Sequence, residues 1–430
     1  MKPFAALLLA ATSLPALAAP SPAERRAVAA VDADQPRAIA LLERLVNQNS
    51  GTMNVAGVET VGRMLRAELE PLGFTVVWKP LPQTKRAGHL IATRMGAKGT
   101  KRLLLIGHLD TVFEADSPFQ SYRRTGDTAE GPGVGDDKGG MVVMLSALRA
   151  MKIAGTIDDA TFEIVLTGDE ERTGDPVDIA RADLIAAGRR ADVALDFEGL
   201  VRQDGRDMGS IARRSSNSWQ LTTTGTTGHS SLIFDAAHGD GAINEMARIL
   251  AAFRTQLPEK NLTFNTGLLV GGATAAFDAD AVRGTATGKP NIIPAVATAR
   301  GDFRTLSDEQ TARVRARMIA IVAAHAPGTD AKILFDEGYP PMAPTAGNRA
   351  ILAKLNMVNR DLGLAEMPEL DPLKRGAGDI AFVAKDVDGL AGLGPYSVGD
   401  HAPGETVDLP SIAVQAKRAA LLMARLGRGG

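Results

Sequence analysis

The chain has 430 residues, more than one hydrophobic core usually serves, so two domains are expected. Apolar residues make up 45% and charged residues 23%, the mix of an ordinary soluble globular protein, and 48 basic against 50 acidic side chains leave a net charge of -2. That balance gives no electrostatic case for nucleic acid or an anionic membrane as partner, and the absence of cysteine excludes disulfides, thiolate ligands and a cysteine nucleophile. A small molecule or peptide is the partner left, and any metal must be held by nitrogen and oxygen.

The first residues, MKPFAALLLAATSLPALAAP, place Lys2 ahead of an apolar run from Phe4 to Leu17, with small residues at Ala16 and Ala18. This is the three-part pattern of a signal peptide over residues 1–18, and it predicts a secreted or periplasmic protein with no membrane attachment after cleavage. The run is too short to span a bilayer, and no later segment approaches ~20 apolar residues. Helices are predicted over 37–46, where Leu41, Leu42, Leu45 and Val46 share a face, and over 58–69. A strand follows from Phe74. Then come RLLLIGH (102–108), TFEIVLTGDEE (161–171) and ADVALDFEG (191–199), each mostly apolar and each ending in His, Asp or Glu. That suits buried parallel strands, and in open α/β sheets ligands bind beyond the carboxyl ends of strands. Between the first two, GGMVVMLSALRAM (139–151) reads as a helix directly after Asp136 and Asp137. The macrodipole favours acidic groups there by ~0.3–1 kcal/mol each.

From Ile211 the texture changes. A strand (219–225), a helix (241–253), strands at 263–272 and 296–306, a helix (308–325) and a strand (331–338) give the β-α-β-β-α-β order of a ferredoxin-like unit. This predicts a domain over 211–340 inserted into a catalytic domain made of 24–210 and 341–430, which ends in a helix over 411–426.

Six histidines exist: His89, His108, His229, His238, His325 and His401. His108 ends a strand, and Asp110 is the kind of carboxylate that orients a ligating imidazole through its other nitrogen. Glu170 and Glu171 are neighbours at a strand end. A metal hydrolase needs one carboxylate on the ion and another to take a proton from water, and adjacent residues can divide those tasks. Glu198 and His401 are further candidate ligands, with Asp196 competing for the role of Glu198 because strand alternation points both to one face. The stretch GPGVGDDKGG (131–140) sets two like charges side by side on glycine-rich backbone, an arrangement that needs a cation close by.

His108 with Asp110, Asp136 to Gly139, Glu170 with Glu171, Glu198 and His401, in this order at these strand ends, resemble the M20 family of metallopeptidases, particularly its secreted glutamate carboxypeptidase branch. GHLDTV, GPGVGDDKGG and GDEE carry the resemblance, which covers residues 35 to 420. It implies a zinc-peptidase-type mixed α/β sheet flanked by helices, with an inserted ferredoxin-like lid that forms a homodimer. It implies two Zn2+ ions, with Co2+ or Mn2+ as substitutes, bridged by Asp136. His401 and Glu171 would complete one site, and His108 and Glu198 the other. Glu170 matches the general base, and a cis peptide is implied before Asp137. His229 matches a residue that stabilises the oxyanion, in some members from the partner subunit. Asn291 and Arg304 match the pair that binds the substrate carbonyl and terminal carboxylate. The chain departs from the branch at Tyr339, where glutamate-releasing relatives carry arginine. Arg206 is the candidate for a further basic residue that they carry after the ligand corresponding to Glu198. The activity implied is hydrolysis of an amide bond that releases a C-terminal amino acid. A deacylase, aminoacylase or dipeptidase acting on N-acyl amino acids or dipeptides would use the same site. An exported zinc- or peptide-binding protein is the reading from another class, and it would not need a base at Glu170.

Overall fold

A computed structural model describes residues 20–279 and 281–428, so the signal peptide expected over 1–18 lies outside the described residues. Helix α1 (Pro22–Val46) starts well ahead of residue 37. Ser21 and Glu24 form a reciprocal capping box, and Ala27, Ala30 and Val31 extend the buried face upstream with side chains too small to mark a stripe in the sequence. Helix α2 (Val55–Leu69) is capped by Asn54, whose side chain accepts the N–H of Gly57.

Strands β1 (Thr75–Leu81), β2 (Arg86–Arg94), β3 (Arg102–His108), β4 (Thr161–Thr167) and β5 (Val193–Asp196) form a sheet in the order β1-β2-β4-β3-β5, extended past β5 by Gly389–Leu390. Helix α3 (Lys138–Ala154) crosses over from β3 to β4. β4, β3, β5 and Gly389–Leu390 run parallel, and β1 and β2 are antiparallel. The continuous apolar run of β3 follows from burial on both faces. Leu103 and Leu105 pack with α1, α2 and α3, whereas Leu104 and Ile106 join Val165, Ala194 and Ile380 on the other side. Each such leucine contributes about 1.5–3 kcal/mol. His108 pairs with Thr167 and Ile106 with Asp196, so three strands finish within two residues of one another.

The strands stop short of the acidic residues. β4 ends at Thr167 and β5 at Asp196, which leaves Glu170, Glu171 and Glu198 on loops. The side chains at the end of β4 are drawn into a polar network that turns the backbone out of the sheet: Thr167 donates to Asp379, and Asp169 accepts from Arg181 and from the N–H of Gly174.

The chain then builds β6 (Ser216–Gly225), α4 (Ala242–Gln256), β7 (Thr263–Gly272), β8 (Val296–Arg304), α5 (Asp308–Ala323) and β9 (Thr329–Tyr339). The sheet order is β7-β8-β6-β9, antiparallel throughout, and the helices cover one face around Trp219, Met246, Phe253, Phe303 and Met318. A hairpin of Thr274–Phe277 and Gly284–Thr287 is added where the sequence predicts no element. After Pro341 the chain returns through α6 (Ala346–Asp361) and closes with α7 (Leu409–Gly427), which packs on α1 and α3. The fold is therefore a mixed α/β sheet flanked by helices with a ferredoxin-like unit inserted. Among the described residues no helix is long and apolar enough to cross a membrane.

Candidate active site

The loops that leave β3, β4 and β5 meet at one rim. His108 places Nδ1 3.1 Å from the backbone oxygen of Asp110 and Nε2 2.9 Å from Asp136 Oδ1. A carbonyl only accepts, so Nδ1 carries a proton, and Nε2 donates its own to Asp136; a cation at that point would take the Nε2 lone pair in place of that proton. The fully buried Asp110 carboxylate accepts from Thr52 Oγ1 at 2.6 Å and from the N–H groups of Glu170 at 3.0 Å and Glu171 at 3.2 Å. The same residue thus holds the imidazole and the two-glutamate loop.

The glycine-rich segment enters between β3 and α3. The N–H groups of Gly133, Gly135 and Asp136 all donate to the Glu405 carboxylate, at 2.9, 2.8 and 3.0 Å. Beneath them the buried Lys138 donates to the backbone oxygen of Gln48 at 2.9 Å. The Asp136–Asp137 peptide is cis. Asp137 does not take the helix-start role that the macrodipole favours. It makes no capping bond to α3 and instead accepts the N–H of His108 at 3.2 Å. Gly107 and Gly140 make room for it, since a Cβ on either would run into its carboxylate. Asp136 points the other way: its Oδ2 lies 3.1 Å from His401 Nε2, which is also 3.1 Å from Glu171 Oε2.

Ligand atoms of His108, Asp136 and Glu171 lie within 4.8 Å of one another, and His401 touches two of the three. The electrostatics are those of crowded buried carboxylates. Burial, then Glu198, pushes Glu170 well above the ordinary glutamate range. Burial raises Glu171 to about 7, and hydrogen bonds that His401 donates to Asp136 and Glu171 push it up to about 11. Burial works against a charged His108, yet Asp110 and Asp136 hold it well above its usual value. Imidazole nitrogen and carboxylate oxygen at this spacing fit a divalent cation of the zinc type, which would neutralise the cluster in place of protons.

Glu198 reaches the same cleft from the end of β5. Its Oε2 lies 2.5 Å from Arg213 Nη1 and 3.3 Å from Arg375 Nη2. Asp196, its competitor in the sequence, sits buried behind it, 3.2 Å from the same Arg213 nitrogen and outside the cleft lining. A Cβ on Gly378 would collide with Arg213 and with Glu198 Oε1, so that position must be bare for the pair to form. The cleft has a volume of about 240 Å3 and is lined by Asp136, Glu170, Glu198, Arg375, His401 and their neighbours.

The candidates from the inserted domain divide. Arg304 ends β8 with its guanidinium beside Gly376, a residue of the cleft wall, and its Nε 3.3 Å from Asp302. His229 and Asn291 are brought together by the bond from Ser230 N–H to the Asn291 oxygen, but both are exposed and neither lines the cleft. His229 Nδ1 accepts the N–H of Ser231 at 3.2 Å, which leaves the proton of a neutral ring on the outward Nε2. Arg206 is not brought to the cleft: the tight turn at Asp204 and Gly205 swings it toward Leu364, Pro410 and Val414, in a separate cavity. Tyr339 is packed against Phe382 and does not line the cleft. Arg213, Lys374, Arg375 and Glu405 were missed by sequence reasoning. The only signals were the paired arginines of ARRSS, the KRG of the 374–376 loop and the four-residue spacing of Glu405 from His401.

The fold and the rim define a metal-dependent hydrolase. Residues 104–425 match peptidase family M20/M25/M40, and the chain belongs to this family of metallopeptidases. It is 30% identical over 416 residues to carboxypeptidase G2 of Pseudomonas sp. (strain RS-16), covering 92% of this chain and 91% of that protein. It is 27% identical over 390 residues to succinyl-diaminopimelate desuccinylase of Variovorax paradoxus (strain S110), covering 87% and 94%. The solved structure of aminopeptidase PepT from Bacillus cereus superposes with a TM-score of 0.70 at 18% identity, covering 91% of this chain and 98% of that one.

Proposed function

We propose that the protein is a carboxypeptidase-like hydrolase, cleaving an amide bond whose leaving side is an amino acid with a free carboxylate. The observation that supports this best is Glu170, in the cleft beside Asp136 and His401 with its backbone N–H fixed on Asp110. Asp136 would hold two divalent cations, zinc by donor type, one with Glu171 and His401 and the other with His108 and Glu198. When bound, they supply Lewis-acid polarisation of the scissile carbonyl and an acidified water. Glu170 takes a proton from the attacking water and returns it to the leaving nitrogen. Its raised pKa suits a group that must hold that proton between the two steps. Asp110 keeps the His108 tautomer that presents Nε2.

Arg304 would grip the terminal carboxylate, and Arg375, whose buried Nε has no partner among the described residues, adds a second guanidinium in the cleft wall. His229 would donate from Nε2 to the oxyanion and Asn291 to the substrate carbonyl. Both are exposed and stand outside this chain's cleft lining, so in this reading they serve a second copy, in a homodimer formed through the inserted domain. Leu269 and Leu334, exposed on that domain's sheet, support such a contact. The N-terminal segment would direct export to the periplasm or beyond. The likeness to a desuccinylase favours a second reading, a deacylase of N-acyl amino acids using the same residues.

A panel of N-acyl amino acids and dipeptides, with and without chelator, tests the proposal. Wild type is expected to release free amino acid in a chelator-sensitive way. Glu170→Ala should lose on the order of 10²–10⁴ in turnover while binding the same metal. Equal turnover by both proteins overturns it.

A further inference from the structure

Tyr339 is the last residue of β9, and Pro340 and Pro341 follow it where the inserted domain returns to the catalytic sheet. Its hydroxyl donates to the backbone oxygen of Glu170 at 2.7 Å. The phenol oxygen itself accepts from Arg181 Nη2 at 2.9 Å and lies 2.9 Å from Thr173 Oγ1, which must donate because the phenol has only one hydrogen. A phenol has one hydrogen to give and two lone pairs to fill, and all three are used. Arg181, itself fully buried, is held by Asp169 at 2.6 Å and Asp379 at 2.8 Å. Asp379 in turn takes the Thr167 hydroxyl at the end of β4 and lies two residues past the 374–377 loop that walls the cleft. The Tyr339 ring packs on Phe382 with centroids 4.9 Å apart.

Glu170 is therefore fixed on both sides of its backbone, by Asp110 at the N–H and by a residue of the inserted domain's last strand at the C=O. We infer that Tyr339 is a positioning residue for Glu170, and that the junction between the inserted domain and the catalytic sheet and the proton-transferring carboxylate share one hydrogen-bonded unit. The inference rests on the role of Glu170 proposed above. A shift of the junction carries the phenol, and with it the Glu170 carbonyl. Removing the hydroxyl leaves the Glu170 carbonyl without this donor and frees the peptide that aims the carboxylate, whereas Arg181 Nη2 keeps the Asp169 oxygen at 3.1 Å and Thr173 Oγ1 at 3.3 Å.

The test is Tyr339→Phe against two references. Its kcat is expected to fall by about 10- to 100-fold, the cost of misplacing a catalytic group by a fraction of an ångström to one ångström, with KM within about twofold of wild type and metal content unchanged. Leu421→Ala, in the core of α7 far along the chain, supplies a destabilised protein with intact site contacts. Its folded fraction should keep the wild-type kcat. If the kcat of folded Tyr339→Phe equals that of wild type, or falls only as far as in Leu421→Ala, the inference is overturned. Glu170→Ala separates the two proposals, because activity surviving there removes the base itself, whereas a dead Glu170→Ala beside a fully active Tyr339→Phe removes only the positioning role. Hydrogen exchange on wild-type protein gives a reading that does not depend on the variant folding. The amides of 168–174 and of 336–339 should share one opening free energy, and separate openings would overturn the link.

Discussion

Asp136 gives one carboxylate oxygen to His108, at 2.9 Å, and the other to His401, at 3.1 Å. A single side chain therefore stands between two imidazoles that come from opposite ends of the catalytic fold. Asparagine has one oxygen to offer and must turn an amide N–H₂ toward one of the rings. Asp136→Asn is expected to lower bound metal at both positions and to abolish the rise in melting temperature on adding zinc. His401→Ala should remove only part of each. Elemental analysis and thermal melting check this, and a fully loaded Asp136→Asn protein would contradict it.

Glu405 ties the Asp136 loop to the His401 loop by accepting three backbone N–H groups. Glutamine in its place can accept with only one oxygen and would point N–H₂ at a donor. Glu405→Gln should cost about 1–3 kcal/mol in urea unfolding. It should also weaken metal binding although the residue touches no metal ligand side chain.

Lys138 provides a pH signature. Burial pulls its pKa down from 10.5 to about 7, with Glu405 opposing the shift. Between those values the unfolded chain binds the proton and the folded chain does not, so the lysine's contribution makes stability rise with pH. Below pH 7 both states are protonated and the dependence vanishes. The difference in unfolding free energy between wild type and Lys138→Met should therefore grow from pH 7 toward 10 and stay flat between pH 5 and 6.5. A difference that is independent of pH throughout would contradict the burial assigned to this amine.

Arg304→Ala should raise KM for substrates with a free terminal carboxylate by about 10- to 100-fold, as expected for loss of a charge-assisted hydrogen bond, and change kcat less. Substrates capped as carboxamides should be poor for wild type and no worse for the variant. Steady-state kinetics on a matched pair of substrates decides it.

The rim was legible because its residues are rare and sit where apolar runs end. His108, Glu170, Glu171 and Glu198 each follow a run that only a doubly covered strand would carry, and His401 is one of six histidines. The support around them was not. Arg213 and Arg375 look like surface cations in sequence, and only the three-dimensional path shows that they converge on Glu198. Arg206 misled for the converse reason: it is near Glu198 along the chain, but a left-handed turn at Asp204 and Gly205 sends it elsewhere. Asp137 read as a helix-start acid because propensity sees only the neighbour in sequence, whereas the N–H of His108 claims its carboxylate. The early start of α1 was hidden by alanines, whose burial leaves little trace in hydropathy.

Gly389–Leu390 completes the sheet beside β5, and His401 and Glu405 come later still, after the whole inserted unit. During synthesis the ribosome must therefore deliver the inserted unit before the rim gains its last imidazole and the clamp on the glycine loop. The inserted unit, contiguous from Ser216 to Tyr339, can fold while the earlier strands wait. The rim is thus assembled only after the chain has left the catalytic sheet and come back to it.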